Sequence, residues 1–224
     1  MKLFKKKEKS MLSTDKASPL ERIVKYAPQV AATTFITPLH EGLHAITAKI
    51  LPQVGCSGIV LNQNSWYAPI FKYITFGFYK TAELPANIAG YAQITHSDSF
   101  LGNLGQAIAS ATPEIATMTL GLYWIKKGVD NISEKGKRLY TMVSAYCGIS
   151  LAAVSLNYMK YSSLHPEKGQ DYVNFTEGVL KMFHMPASLA GYVTFLGSAA
   201  IFAGSLYLAR LFSPKKNKDL FLGS

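Results

Sequence analysis

The stretch Thr37–Ile46 reads TPLHEGLHAI and places a His-Glu-x-x-His motif inside a run of apolar residues. On a helix, residues four apart lie on one face, so the imidazoles of His40 and His44 can bind one metal ion together. Glu41 lies beside that face, where a carboxylate can take a proton from a metal-activated water. Because such side chains are costly to place in a lipid-facing helix, the motif predicts a functional site rather than two packed core histidines.

The apolar run around the motif predicts a first membrane span over residues 26–48. This run contains no Lys or Arg, and Glu41 is its only acidic residue. As a helix it reaches about 34 Å, which is enough to cross the hydrocarbon core of a bilayer. Pro38 cannot donate a hydrogen bond to the carbonyl four residues back, so we expect a kink just before the histidines.

The composition of the whole chain is also typical of a membrane protein. Of its 224 residues 49% are hydrophobic and 16% are charged, whereas average soluble chains carry about 25% charged residues. Three further runs with few charges predict spans over residues 101–125, 139–159 and 185–209. The predicted fold is therefore mainly α and polytopic, with about four transmembrane helices and a small β-rich insertion after the first.

The basic residues predict the orientation in the bilayer. Of the 23 Lys and Arg, eight lie before residue 26, five lie in 126–138 and four lie after residue 209. The positive-inside rule then places both termini in the cytoplasm. The predicted organisation is a basic tail over 1–25, one membrane-embedded domain over 26–211 and a basic tail over 212–224. Such tails favour an anionic lipid surface, and no fold motif or basic-aromatic groove indicates nucleic-acid binding.

The segment 53–99 between the first two spans is predicted to be rich in β structure. Gly58–Leu61 and Tyr67–Thr81 resemble short strands, the second rich in aromatic and β-branched residues. Pro69 would place the start of the second at a sheet edge. Two interpretations stay open, an interfacial loop at headgroup depth and an edge strand that pairs with an extended substrate. The substrate-contacting residues in the second interpretation are Tyr73, Thr75 and Phe76.

A catalytic zinc ion usually takes three protein ligands and one water, so the two histidines need a further partner. Asp171 is the favoured third ligand, because its loop is predicted to emerge on the side of the membrane nearer the motif. Glu114 is the alternative, since it is the only charged residue of the second span and a lone intramembrane carboxylate calls for a partner. The remaining possibilities are His96, His165, His184 and a site without a third ligand.

The sequence His40-Glu41-Gly42-Leu43-His44 in a span, followed by strands, further spans and a late aspartate, resembles the site-2 protease group of intramembrane zinc metalloproteases. The resemblance is closest to their compact prokaryotic members, covers about residues 26–171 and is most specific at the motif. It implies one catalytic Zn²⁺ held by both histidines and Asp171, with Glu41 as the general base. In that family the aspartate commonly lies in Leu-Asp-Gly within a span, whereas here it lies in Gln-Asp-Tyr within a polar stretch.

The resemblance also implies a substrate class. Members of the group cleave membrane-embedded or membrane-adjacent peptides, and the β-rich segment would present the peptide in extended form. Two other functions fit the same residues. One is a membrane zinc hydrolase that acts on a lipid amide or ester, and the other is an inactive scaffold or metal-binding relative that holds membrane peptides without cutting them.

Overall fold

The computed structural model describes residues 27, 29–85, 88–132, 138–164 and 171–213, which form a mainly helical bundle with one small sheet. Basic tail 1–25, and tail 212–224 beyond residue 213, lie outside the described residues. We number helices and strands in chain order. Their bounds are α1 Ile36–Ile50, β1 Val54–Asn62, α2 Ala68–Ile74, β2 Tyr79–Ala82, β3 Gly90–His96, α3 Phe100–Asp130, α4 Arg138–Leu164, α5 Asp171–Met182 and α6 Ala190–Leu211.

The helix that carries the motif, α1, begins after an interruption at Phe35. Residues 29–34 are also helical, but Phe35 has φ −106° and ψ 29°, outside the helical region. Pro38 accounts for the break, because its ring removes the N–H that would bond to the carbonyl of Thr34. The interruption agrees with the kink predicted just before the histidines.

Two helical segments of the described chain are long and apolar enough to cross a bilayer, Leu139–Asn157 within α4 and Ala187–Leu211, which includes α6. They coincide with the third and fourth predicted spans. The first two predicted spans correspond to α1 and α3, and neither meets the same standard of length and apolar composition. Helix α1 is short, with 15 residues. Helix α3 is long enough, with 31 residues, but the polar side chains that it buries along one side make it less apolar.

Helix α3 is the centre of the bundle and packs against α1, α4, α5 and α6. It meets α4 through glycines, because a Cβ added at Gly148 would lie 2.6 Å from the nitrogen of Ile125 and 2.7 Å from the carbonyl oxygen of Gly121. Small residues of this kind let two helix backbones approach closely. The apolar core between the helices contains Ala111, Met118, Ala152, Met159, Tyr172 and Ile201.

The sheet has the strand order β2-β1-β3, with β1 parallel to β2 and antiparallel to β3. Its inner face packs on α1 through a cluster of Ala45, Ile59, Leu61, Ala68 and Tyr79. The buried side chain of Asn62 donates hydrogen bonds to the carbonyls of Leu84 and Ile88, which fixes the loop that leads into β3. In the described chain β3 pairs with β1 alone, so its other edge is open.

The small β insertion was predicted correctly, but the prediction of a strand over Tyr67–Thr81 is wrong for most of its length. Residues Ala68–Ile74 form α2, and β2 covers Tyr79–Ala82. Pro69 lies in the first turn of α2, where a missing N–H costs nothing and the fixed φ favours a helix. Tyr67 and Phe71, one helical turn apart, both pack their rings against Phe35. The aromatic residues were therefore spaced for a helix face rather than for a strand.

Candidate metal centre

Three side chains from two helices converge at the motif. His40 and His44 lie one turn apart on α1, with ring centroids 4.9 Å apart. Asp171 reaches both of them, with Oδ2 2.8 Å from Nε2 of His40 and Oδ1 3.0 Å from Nε2 of His44. One ligand atom from each residue lies within 4.8 Å of the other two. Such a group of two imidazoles and one carboxylate can hold a metal ion.

The orientation of His44 is set by a backbone carbonyl of α3. Nδ1 of His44 lies 2.7 Å from the carbonyl oxygen of Ala109, which can only accept, so Nδ1 carries the proton. That carbonyl would ordinarily accept from the N–H four residues later in the helix, but residue 113 is proline and has none. Pro113 thus frees the acceptor that fixes the tautomer of His44, and Nε2 is left as the metal-binding nitrogen.

The atoms that face one another at the centre fit a bound cation. Nε2 of His44 is buried and makes no hydrogen bond with any described residue, although a carboxylate oxygen of Asp171 lies 3.0 Å away. Two acceptors at that distance repel unless a proton or a metal ion lies between them. Two ligands of one zinc ion are about 3 to 4 Å apart, because each lies about 2.0–2.2 Å from the metal. The donor set and its spacing therefore match a mononuclear site.

Asp171 is the first residue of α5, where the helix dipole favours a negative charge. Burial opposes its ionisation, but the adjacent His44 and His40 outweigh that effect and hold the pKa of Asp171 well below its usual range. Its carboxylate is therefore available as an anionic ligand at neutral pH.

Glu41 lies beside the centre, next to the open edge of the sheet. The residue is buried, with 8% exposed, and the backbone N–H of Ala92 on β3 is close enough to interact with its carboxylate. The sheet is tied to α1, since the hydroxyl of Tyr79 donates to the carbonyl oxygen of Pro38 at 2.7 Å. Burial raises the pKa of Tyr79 to about 12, so this hydroxyl stays a neutral donor. Gly42 leaves room for it, because a Cβ there would lie 2.8 Å from the hydroxyl oxygen.

A cavity of about 390 Å³ opens beside these residues. Its walls contain His40, Glu41 and His44 of the motif and Asp171 of α5. They also contain most of β3 and polar groups of α3 and α5. The polar groups from α3 and α5 are those of Gln106, Ser110 and Asn174. A cavity with a metal centre at one side and an open strand edge at another can take an extended chain.

The other residues singled out in the sequence lie in different places. Tyr73 and Phe76 are 85% and 99% exposed, and neither they nor Thr75 lines the cavity. His96 lines the cavity but is not part of the metal cluster. His184 lies in the turn after α5, and His165 is outside the described residues.

Sequence reasoning missed the groups that orient the centre. Pro113 lies four residues after Ala109 and leaves its carbonyl free to accept from His44. The buried Gln106, Ser110 and Glu114 are also spaced four residues apart and lie along one face of α3. A scan of the apolar run for polar residues at i and i+4 would have marked this face. The contact of Ala92 with Glu41 runs through the backbone, so no residue type indicates it.

No family model, characterised protein or solved structure matches the chain.

Proposed function

We propose that the protein is a membrane-embedded zinc endopeptidase, of the kind represented by the site-2 protease group, that cleaves transmembrane or membrane-adjacent peptides. The observation that carries the proposal is the convergence of His40, His44 and Asp171 next to Glu41, in a cavity bordered by an open strand edge. Each component has a distinct task in hydrolysis of a peptide bond.

The first task is metal binding. Two imidazoles and one carboxylate form a common ligand set of catalytic zinc, which leaves a position for water or substrate. A zinc ion held there supplies Lewis-acid polarisation of the scissile carbonyl and makes a water acidic enough to lose its proton near neutral pH. The hydrogen bond from His44 to Ala109 and the position of Asp171 at a helix start keep the ligands oriented before the ion binds.

The second task is proton transfer. Glu41 accepts the proton of the attacking water and then donates it to the leaving amine, which is the role of a general base and acid. Its carboxylate is buried beside the cluster, near the backbone N–H of Ala92. The same α1 backbone carries His40 and His44, so base and ligands move as one unit.

The third task is placing the peptide. The open edge of β3 runs along the cavity and presents backbone donors and acceptors to an extended chain. Backbone pairing of this kind tolerates many side chains and exposes the peptide bond to the metal centre. The contact residues are therefore those of β3, in place of Tyr73, Thr75 and Phe76.

The membrane setting is supported by the two apolar helical segments and by their surfaces. Large apolar side chains are exposed on both, including Met142, Tyr146 and Ile149 of α4 and Tyr192, Phe195 and Leu196 of α6. Apolar surface of this extent is typical of contact with lipid. We propose that α1 and α3 complete a four-span arrangement, with both termini cytoplasmic.

The test is zinc content and peptidase activity of the purified protein and three variants. We expect near-stoichiometric zinc in the wild type, loss of zinc in His44→Ala, and retained zinc with loss of cleavage of co-expressed membrane peptides in Glu41→Gln. His184→Asn is the control, since it changes a histidine outside the site at a position with φ 53° that asparagine tolerates. Full cleavage by Glu41→Gln would refute the proposal, and zinc without turnover in the wild type would indicate an inactive binding relative.

A further inference from the structure

Gln106 is a buried carboxamide of α3 that lines the cavity beside the candidate metal centre. The residue is 8% exposed, and its carbonyl oxygen Oε1 is buried and accepts no hydrogen bond from any described residue. A buried acceptor without a donor is costly. Because this one lies at a cavity wall, the donor can come from a molecule that enters the cavity.

Gln106 flanks the metal cluster and is not a member of it. It lies three residues before Ala109, whose carbonyl oxygen is 2.7 Å from Nδ1 of His44. Residues three apart lie on the same side of a helix, with a rise of about 4.5 Å between them. A ligand that extends from the metal ion toward the N-terminal end of α3 therefore reaches Gln106 within about one helical turn.

The cavity offers hydrogen bonds in two ways. Strand β3 presents its open backbone edge, whereas the backbone groups of α3 and α5 are largely bonded within each helix. The helical walls therefore present polar side chains, which are those of Gln106, Ser110 and Asn174. An extended peptide has N–H and C=O groups on both edges, so pairing with β3 leaves its second edge to these side chains. Of the three, Gln106 is the one with a buried oxygen that lacks a donor among the described residues.

We infer that Oε1 of Gln106 accepts a hydrogen bond from one backbone N–H on the second edge of a peptide bound at β3. The peptide is then held from both sides, and the bond recognises the main chain rather than a side chain. Proline has no N–H to donate, so it is disfavoured at that one position of the peptide. The inference rests on the peptide and metal sites of the proposed function but not on turnover.

The experiment measures binding of an acetylated tetraleucine hydroxamate to the full-length Co²⁺-substituted protein in detergent. The hydroxamate group binds the metal ion and changes its d–d absorption bands, so a titration yields an affinity without peptide cleavage. In four further probes one amide N–H at a time is replaced by an ester oxygen, which removes the donor without adding bulk. For the wild type we expect losses of affinity at the positions that face β3. We also expect a loss of about 5-fold at one intervening position, the factor for one typical hydrogen bond.

Gln106→Leu removes the acceptor and should abolish the loss at that intervening position, while the losses at the positions that face β3 persist. Gln106→Met, whose unbranched side chain has the same length, repeats the test in a second apolar form. Asn103→Leu is the matched control and should keep the wild-type pattern. Asn103 is a buried carboxamide of the same helix whose oxygen also lacks a donor in the described chain, but it does not line the cavity.

Two results would overturn the inference. One is an equal loss at the intervening position in the wild type and in both Gln106 variants, and the other is no loss at any intervening position in the wild type. A Co²⁺ spectrum that does not respond to the unmodified probe would instead refute the proposed peptide and metal site, and with it this inference.

Discussion

At the scale of single residues, proline has two uses in this protein, and both act through the backbone. Pro38 interrupts the helix before the motif, and Pro113 releases the carbonyl of Ala109 for His44. Proline in a helix interior is unfavourable by about 3 kcal/mol relative to alanine. The protein accepts that cost at Pro113, which is fully buried between helices, and obtains a fixed imidazole tautomer at the metal centre.

Pro113→Ala should therefore separate helix stability from metal binding. The new N–H at residue 113 competes with His44 for the carbonyl of Ala109, so the imidazole loses its fixed orientation. We expect zinc affinity to fall by about 10-fold to 100-fold, as for other groups that orient a metal ligand. The metal-free variant should unfold at no lower temperature than the wild type, because alanine favours the helix. Chelator competition and thermal unfolding in detergent measure the two effects.

Pro69→Ala is the matched control for that substitution. Pro69 lies in the first turn of α2, where no N–H is needed, and it does not line the cavity. Its replacement should leave zinc affinity unchanged. Wild-type zinc affinity in Pro113→Ala would contradict the role assigned to the freed carbonyl.

At the scale of helices and strands, the sequence was most informative where the pattern is local. The motif predicted the shared face of His40 and His44, and Pro38 predicted the break before them. The strand prediction over Tyr67–Thr81 is wrong for most of its length, because β-branched and aromatic residues are common in strands and a proline is compatible with both a strand edge and the first turn of a helix. Which strand borders the site was not predictable, since the antiparallel pairing of β3 with β1 joins residues that are 29 (Leu61 and Gly90) to 42 (Val54 and His96) positions apart.

The open edge of β3 yields a prediction about substrates rather than variants. In an extended peptide alternate N–H groups point toward the paired strand. N-methylation at alternate positions of a cleaved peptide should therefore reduce cleavage strongly, because each methyl group removes one donor to β3. N-methylation at the intervening positions should have a weaker effect. Cleavage rates of a series of singly methylated peptides measure the pattern.

The intervening positions are the internal control of that series, as they carry the same chemical change on the opposite side of the peptide. A uniform loss of cleavage along the peptide, or no loss at any position, would contradict strand pairing at β3. A glycine-rich tether at the ends of each peptide keeps solubility equal across the series.

At the scale of the whole molecule, the candidate metal centre joins parts of the chain that are far apart in sequence. His40 and Asp171 are 131 residues apart, and the carbonyl of Ala109 that orients His44 comes from a third helix. The sequence favoured Asp171 as the third ligand, with Glu114 as the main alternative. It indicates which acids lie at the depth of the motif but not how the helices cross. The structure places both carboxylates near His40. Close packing of α5 on α3 contributes to that crossing, since a Cβ added at Gly178 would lie 2.7 Å from the carbonyl oxygen of Asn103.

The arrangement in the bilayer yields the last prediction. With a cytoplasmic N-terminus and four spans (α1, α3, α4 and α6), the turn after β1 lies on the non-cytoplasmic side of the membrane. With spans in α4 and α6 alone, that turn lies in the cytoplasm. Asn64 is exposed in that turn, so we expect Asn64→Cys to react with a membrane-impermeant maleimide in intact cells. The variants are made in a protein in which the two native cysteines, Cys56 and Cys147, are replaced, so that only the introduced cysteine can react. Ser10→Cys, in the basic tail, should react only after permeabilisation, because the positive-inside rule places that tail in the cytoplasm. Protection of Asn64→Cys in intact cells, with labelling after permeabilisation, would contradict the four-span arrangement and support one with two spans.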